Sequence, residues 1–197
     1  MVGPREAARR NQILEVATTL FAQQGYRETN LAQIADELGF RRQAVYHYFR
    51  AKDDILYELI AEAGEAMTSS AGPIFDSDSS PEVKLAELVR NHVRVVSSDP
   101  SRFRIQFNEL NKLSGDRAKP LQDGISAYIH RIADVIQDGQ RAGVFFDGPP
   151  TSLALLIIGM CNSTTEWRDG ARTKASVDEI ADNAARLAVV GLTGTRG

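Results

Sequence analysis

Cysteine is almost absent from this 197-residue chain. Cys161 stands alone, so no intrachain disulfide framework can hold the fold. It lies in an apolar run, where a thiol reads as a small buried hydrophobe. There is no extended alternation of β-branched residues, and prolines number only seven, which leaves an all-α protein. Long hydrophobic runs are missing too. The longest, Leu153–Cys161, is too short to span a bilayer, and the N-terminus lacks a hydrophobic signal core. No membrane partner and a cytoplasmic location are therefore expected. The chain has no Gly-x-Ser-x-Gly, no phosphate-binding Gly-rich loop, no His-Glu-x-x-His and no paired Cys/His set, which argues against a helical enzyme. Of the histidines, His92 and His130 are far from His47 with no ligand spacing, so neither a metal nor a cofactor is implied.

What is present is a 43% hydrophobic content, sufficient for a core, and an uneven distribution of charge. The net charge of −3 is unusual for a nucleic-acid binder. Residues 1–52, however, hold eight Arg/Lys against five Asp/Glu, a net +3, and residues 53–197 hold fifteen against twenty-one, a net −6. The basic excess is confined to the segment that would face phosphate. Solvated helix faces alone could produce the same imbalance.

Residues 31–52 carry the most information. Leu31, Ile34, Ala35 and Leu38 recur at i, i+3, i+4 and i+7, the apolar face of a helix that Asn30 can cap. Gly39 can end it. A second short helix follows, with Val45 and Phe49 as its only apolar seam and Arg41, Arg42, Gln43, Tyr46, His47 and Tyr48 around them. A short helix with little to bury and many hydrogen-bonding groups suits a reader of the DNA major groove. Arg5, Arg9 and Arg10 form a basic arm that either reaches DNA or is simply solvated.

Residues 13–56 resemble the DNA-binding domain of the TetR (tetracycline repressor) family of bacterial regulators. The likeness rests on Ile13, Ala17, Leu20 and Phe21, then Gly25-Tyr26, Thr29, Ile34-Ala35, Gly39, Tyr46-His47-Tyr48-Phe49 and Lys52. The family's small Ser or Thr cap before the third helix is replaced by Arg41, so that helix must begin or be capped differently. The resemblance implies phosphate contacts at Thr29, Tyr46, His47 and Lys52, helped by Asn30 and the start of the second helix. Arg41, Arg42, Gln43 and Ala44 lie where base edges would be read, Arg pairing with guanine and Gln with adenine.

The expected architecture is a helix-turn-helix domain over residues 1–51 and a ligand-binding and dimerisation bundle over 52–197, about nine helices in all. Helices are expected at about 6–24, 52–69, 81–97, 100–113, 119–142, 151–167 and 176–190, with the Ser-, Asp-, Gly- and Pro-rich residues 70–80 as a loop. The last two helices would form the dimer interface through Leu153, Ile157, Ile180, Ala184 and Leu187, as the resemblance implies. Phe103, Phe107, Tyr128 and Ile132 could wall an effector pocket, with Arg104, Asn108, Asn111, Asn162 and Trp167 as its polar or rim groups. An ordinary amphipathic helix also explains the 103–111 pattern. The C-terminal half loosely resembles the regulators of fatty-acid and steroid catabolism, which respond to acyl-CoA thioesters. The expected protein is thus a homodimeric regulator of double-stranded operator DNA, a repressor released by a small-molecule effector. An activator and a regulator controlled by a protein partner are the alternatives.

Overall fold

The computed structural model describes residues 3–113, 115–167 and 173–194. Among these there is no strand. The helices run in order α1 (Pro4–Gln24), α2 (Leu31–Glu37), α3 (Arg42–Tyr48), α4 (Lys52–Phe75), α5 (Pro81–Ser98), α6 (Pro100–Glu109), α7 (Ala118–Arg141), α8 (Pro150–Asn162), α9 (Thr164–Trp167) and α10 (Val177–Thr193). Two short 3₁₀ turns, Leu110–Lys112 and Gly115–Arg117, lie between α6 and α7. The expected eighth helix is broken at Ser163, so α9 is a single turn following α8.

The chain forms two compact units. The first holds the residues up to Ala63 together with Ser101–Leu121. Its core joins Ile13, Leu14, Ala17 and Phe21 of α1 to Ile34 and Ala35 of α2, Val45 of α3, and Ile55, Leu56, Leu59 and Ile60 of α4. Ile105, Leu113 and Ala118 complete that core. The compact boundary therefore does not fall at residue 51. Sequence proximity hides this, because residues 101–121 return to the first unit only after the whole of α5.

The α2–α3 turn is built by its hydrogen bonds. The Phe40 amide donates to the Ala35 carbonyl at 2.9 Å and the Gly39 amide to that of Asp36 at 3.1 Å. This closing pair requires a left-handed residue, and Gly39 adopts φ +65°. A side chain there would cost conformational strain.

The second unit holds Gly64–Pro100 and Gln122 onward. Amphipathic α5 buries Leu85, Leu88, Val89, His92, Val93 and Val96. It packs on α10, whose buried face is built largely from Ala181, Ala184, Ala185 and Ala188, small enough for close approach. Arg90–Asp182 and Arg94–Asp178 flank the contact as exposed ion pairs, worth little energetically. On α7, Gly139 is kept bare by the Phe145 ring: a Cβ there would stand 2.1 Å from Phe145 Cδ2.

One expected loop is a helix. Residues 70–75 extend α4 despite Gly72 and Pro73. Ala71 is fully buried, and Phe75 stands edge-on to Tyr128 with ring centroids 6.0 Å apart and beneath the Arg131 guanidinium at 4.2 Å. Packing outweighs local propensity here, and Pro73 forfeits its amide bond close to the helix end.

Candidate nucleic-acid interface and effector cavity

Helix α3 is fastened by two side chains. Val45 and Phe49 are buried, and the Arg10 guanidinium lies over the Phe49 ring at 4.3 Å. Arg41, Arg42, Gln43, Ala44, Tyr46 and His47 are all exposed. Arg41 occupies the N-cap position without a side-chain hydrogen bond, so α3 begins at Arg42 with its cap missing. Arg42 approaches Asp36 only to 4.0 Å, and both side chains are two-thirds exposed, which leaves the guanidinium available. Arg5, Arg9, His47 and Tyr48 line an open groove of about 690 Å³ beside the end of α3.

Several residues assigned to DNA by the sequence are spent inside the protein. The Lys52 ammonium donates to the carbonyls of Tyr26, Arg27 and Thr29 at 2.8, 2.9 and 3.0 Å. It also stands 4.5 Å from the Tyr26 ring centre. An ammonium has three protons, so none is left for a phosphate. Thr29 is buried; its hydroxyl donates to the Gly25 carbonyl and accepts from Gln24. Asn30 is exposed, but its side-chain oxygen accepts from the Gln33 amide in a reciprocal capping box. The arm is also not an arm. Helix α1 begins at Pro4, and Arg10 is clamped by Glu58 and the Tyr48 carbonyl.

The nine candidate pocket residues divide between the units. Phe103, Arg104, Phe107, Asn108 and Asn111 belong to the first; Tyr128, Ile132, Asn162 and Trp167 belong to the second. Phe103 is buried against Phe107, which is 37% exposed, and Asn108 and Asn111 point into solvent. Arg104 already has an interaction partner and is not a spare cation. In the second unit Tyr128 and Asn162 meet through His92, which the sequence brought up only as a metal ligand. Its signal was the spacing Leu85, Leu88, Val89, His92, Val96, which sets the imidazole on the buried stripe of α5. His92 Nδ1 lies 3.1 Å from the Tyr128 hydroxyl and Nε2 2.7 Å from Asn162 Oδ1. Burial depresses the imidazole pKa to about 4, and burial raises that of the Tyr128 phenol. His92 also lines a narrow apolar cavity with Ile132 and Ile157. Among the described residues no cluster of His, Cys, Asp or Glu could hold a metal.

The polar stretch after α8 is accounted for locally. The Thr164 and Thr165 hydroxyls donate to the Cys161 and Asn162 carbonyls, and the Trp167 indole donates to the Ser163 hydroxyl at 3.4 Å.

The five residues expected at a dimer interface divide by burial. Ile157, Ile180 and Ala184 are buried within the protomer itself, and Leu153 is half-buried. Helices α8 and α10 both pack on α5. Leu187, also expected at the interface, stays in solvent with Val190 of α10 and with Leu155 and Leu156 of α8, Leu156 being 71% and Leu187 66% exposed. No helix among the described residues is long and apolar enough to cross a membrane.

This arrangement, a helix-turn-helix with an exposed recognition helix followed by a helical bundle, has known relatives. Residues 13–59 match the family model described as bacterial regulatory proteins, tetR family, and residues 78–192 the tetracyclin repressor-like C-terminal domain. The chain belongs to the TetR family: it is a DNA-binding transcriptional regulator, not an enzyme. The fatty acid metabolism regulator protein of Bacillus subtilis is 24% identical over 159 residues, 79% of this chain and 81% of that protein. The ketosteroid regulator KstR2 of Mycobacterium tuberculosis has a similar fold, with a TM-score of 0.88, 22% identity and coverage of 99% of this chain and 100% of that one. AibR, solved with isovaleryl coenzyme A and operator DNA, has a TM-score of 0.81 at 19% identity, covering 91% and 97%.

Replacing Lys52 by Met keeps the aliphatic stem but removes the three donors. Lys52→Met should lower unfolding stability by about 1–3 kcal/mol and leave the salt dependence of DNA binding unchanged. Urea unfolding and DNA titration at two salt concentrations test this. A shallower salt slope at unchanged stability would return Lys52 to the phosphate backbone.

Proposed function

We propose that this protein is a homodimeric repressor whose two readers grip a palindromic operator and release it when an acyl-CoA-type effector enters the second unit. The observation that carries the DNA half is the exposed row Arg41, Arg42, Gln43, Ala44, Tyr46 and His47 on a helix held from behind by Val45 and Phe49. Arg41, Arg42 and Gln43 can address base edges. Tyr46 and His47, with Arg5 and Arg9 on the adjoining groove, can hold phosphates.

A second copy of this chain accounts for the uncovered leucines. Helix α8 is apolar nearly all round, yet Leu155 and Leu156 lie in solvent, and α10 leaves Leu187 and Val190 uncovered. Such helices usually bury their remaining face against another element. The effector class is supported by the named relatives, a regulator of fatty acid metabolism, KstR2 and AibR with its bound isovaleryl coenzyme A. Release requires the effector to prefer the state in which the readers are wrongly spaced.

Two substitutions test this reading. Arg42→Ala should cost about 1–3 kcal/mol at particular operator positions and relax specificity there. A uniform loss across all sequences would demote Arg42 to a phosphate contact. Leu187→Glu places a charge on the uncovered face of α10, and should yield monomers that no longer hold the operator. Sedimentation showing an intact dimer for this variant would place the interface elsewhere.

A further inference from the structure

Several charged side chains of the first unit reinforce its frame. Arg10 pairs with Glu58, Arg117 with Asp54, and Lys52 with three carbonyls. Asp36 is different. It lies exposed in the last turn of α2, at the negative end of the helix macrodipole. Glu37 follows it, and the turn holds no basic residue. A carboxylate at this end slightly weakens a helix, so helix stability gives no reason for Asp36.

Its neighbour across the turn does. Asp36 Oδ2 lies 4.0 Å from Nη2 of Arg42, the first residue of α3. The backbone between them is fixed. The Gly39 amide donates to the Asp36 carbonyl, the Phe40 amide donates to that of Ala35, and Leu38 and Phe40 pack against the core. Arg41 and His47, the other basic residues of α3, have no ion pair among the described residues. In the free protein the Arg42 pair is worth little, because both side chains are two-thirds exposed. On DNA the carboxylate would also be repelled by phosphate. Asp36 therefore adds neither stability nor general affinity.

Resting on Arg42 as a base-reading residue, we propose that Asp36 is a specificity-determining residue of the reader: it receives one guanidinium N–H of Arg42 and aims the rest of the fork at a single guanine. An arginine has five N–H donors, and guanine O6 and N7 take two, which leaves a proton of Nη2 for the carboxylate. A long exposed arginine beside DNA can turn to a phosphate as readily as to a base, and a phosphate contact carries no sequence information. Asp36 biases that choice, since it attracts the guanidinium and repels the phosphate. Closing the gap by about 1 Å in the groove would give a charge-assisted hydrogen bond. Asp36 acts through Arg42, lowering binding to all DNA while raising the contrast between sequences.

The test uses the full chain and an operator selected from random double-stranded DNA, with each half-site base pair changed singly. Affinities for every variant duplex and for a scrambled one are measured for wild type, Asp36→Asn, Asp36→Glu, Arg42→Ala, the Asp36→Asn/Arg42→Ala double variant and Glu37→Gln. Asp36→Asn should reduce discrimination about fivefold or more at the position read by Arg42 and leave the other positions alone. Its affinity for scrambled DNA should rise about two- to threefold as one repelling charge is lost. Glu37→Gln removes the same charge one residue on and should alter no single position. Asp36→Glu keeps the carboxylate and should retain most of the discrimination. In the Arg42→Ala background, Asp36→Asn should bring no further loss. The melting temperature of Asp36→Asn should hold or rise, which separates this role from a structural one. With Arg42→Ala position-specific, an equal change at every position for Asp36→Asn would overturn the role of Asp36 alone. So would an effect of Asp36→Asn that persists without Arg42, since it would mark a direct contact of Asp36 with a base. A uniform loss for Arg42→Ala would overturn both Arg42 as a reader and Asp36 as its guide.

Discussion

The ammonium of Lys52 is the fixed point of the first unit. It is the first residue of α4, and it closes on three carbonyls of the loop between α1 and α2, those of Tyr26, Arg27 and Thr29. Tyr26, whose ring it covers, in turn donates to Asp53. Arg10 binds Glu58 of the same helix and the last carbonyl of α3. Thus the connection from α1 to α2, the end of α3 and the start of α4 are joined through charge-assisted hydrogen bonds rather than through apolar contact alone. Such bonds are individually about twice as strong as neutral ones. They turn three short helices, each marginal by itself, into one body with α4.

That fastening decides what remains for DNA. The first unit has many cationic and hydroxyl-bearing residues, but those at the joints are already paired. Exposed on the α3 side are the row from Arg41 to Ala44 with Tyr46 and His47, and Arg5 and Arg9 of α1 beside them. Positioning and reading are therefore served by different residues. Lys52 and Arg10 hold the frame, and α3 presents the contacts. Arg41 leaves the first turn of α3 without a side-chain cap, because a guanidinium carries no acceptor for the helix amides.

The periodic apolar patterns of α1, α2, α5, α7 and α10 were legible because tertiary burial repeats along a helix. Gly39 was legible because only a left-handed residue closes that turn. The extension of α4 through Pro73 was not, since it depends on Ala71 and Phe75 finding partners distant in sequence. The role of Lys52 was misread for the same reason: a lysine at a helix start looks identical whether it faces phosphate or carbonyls. Of the dimer residues expected from the sequence, Ile157, Ile180 and Ala184 are buried within the protomer, whereas Leu187 is exposed. The apolar pattern of α8 and α10 is continuous, and nothing local distinguishes the side that meets α5 from the side left bare. His92 was hidden by its polarity, although its register on α5 placed it in the core.

The proposed role of α3 is to read one DNA sequence on behalf of a paired regulator. The most direct measurement is selection of binding sites from a random double-stranded DNA pool, followed by titration of the selected and a scrambled sequence at two salt concentrations. One palindrome is expected, bound by two copies about a thousandfold or more tighter than the scrambled DNA, with both affinities falling as salt rises. Equal affinity for the two sequences, or enrichment of none, would contradict it.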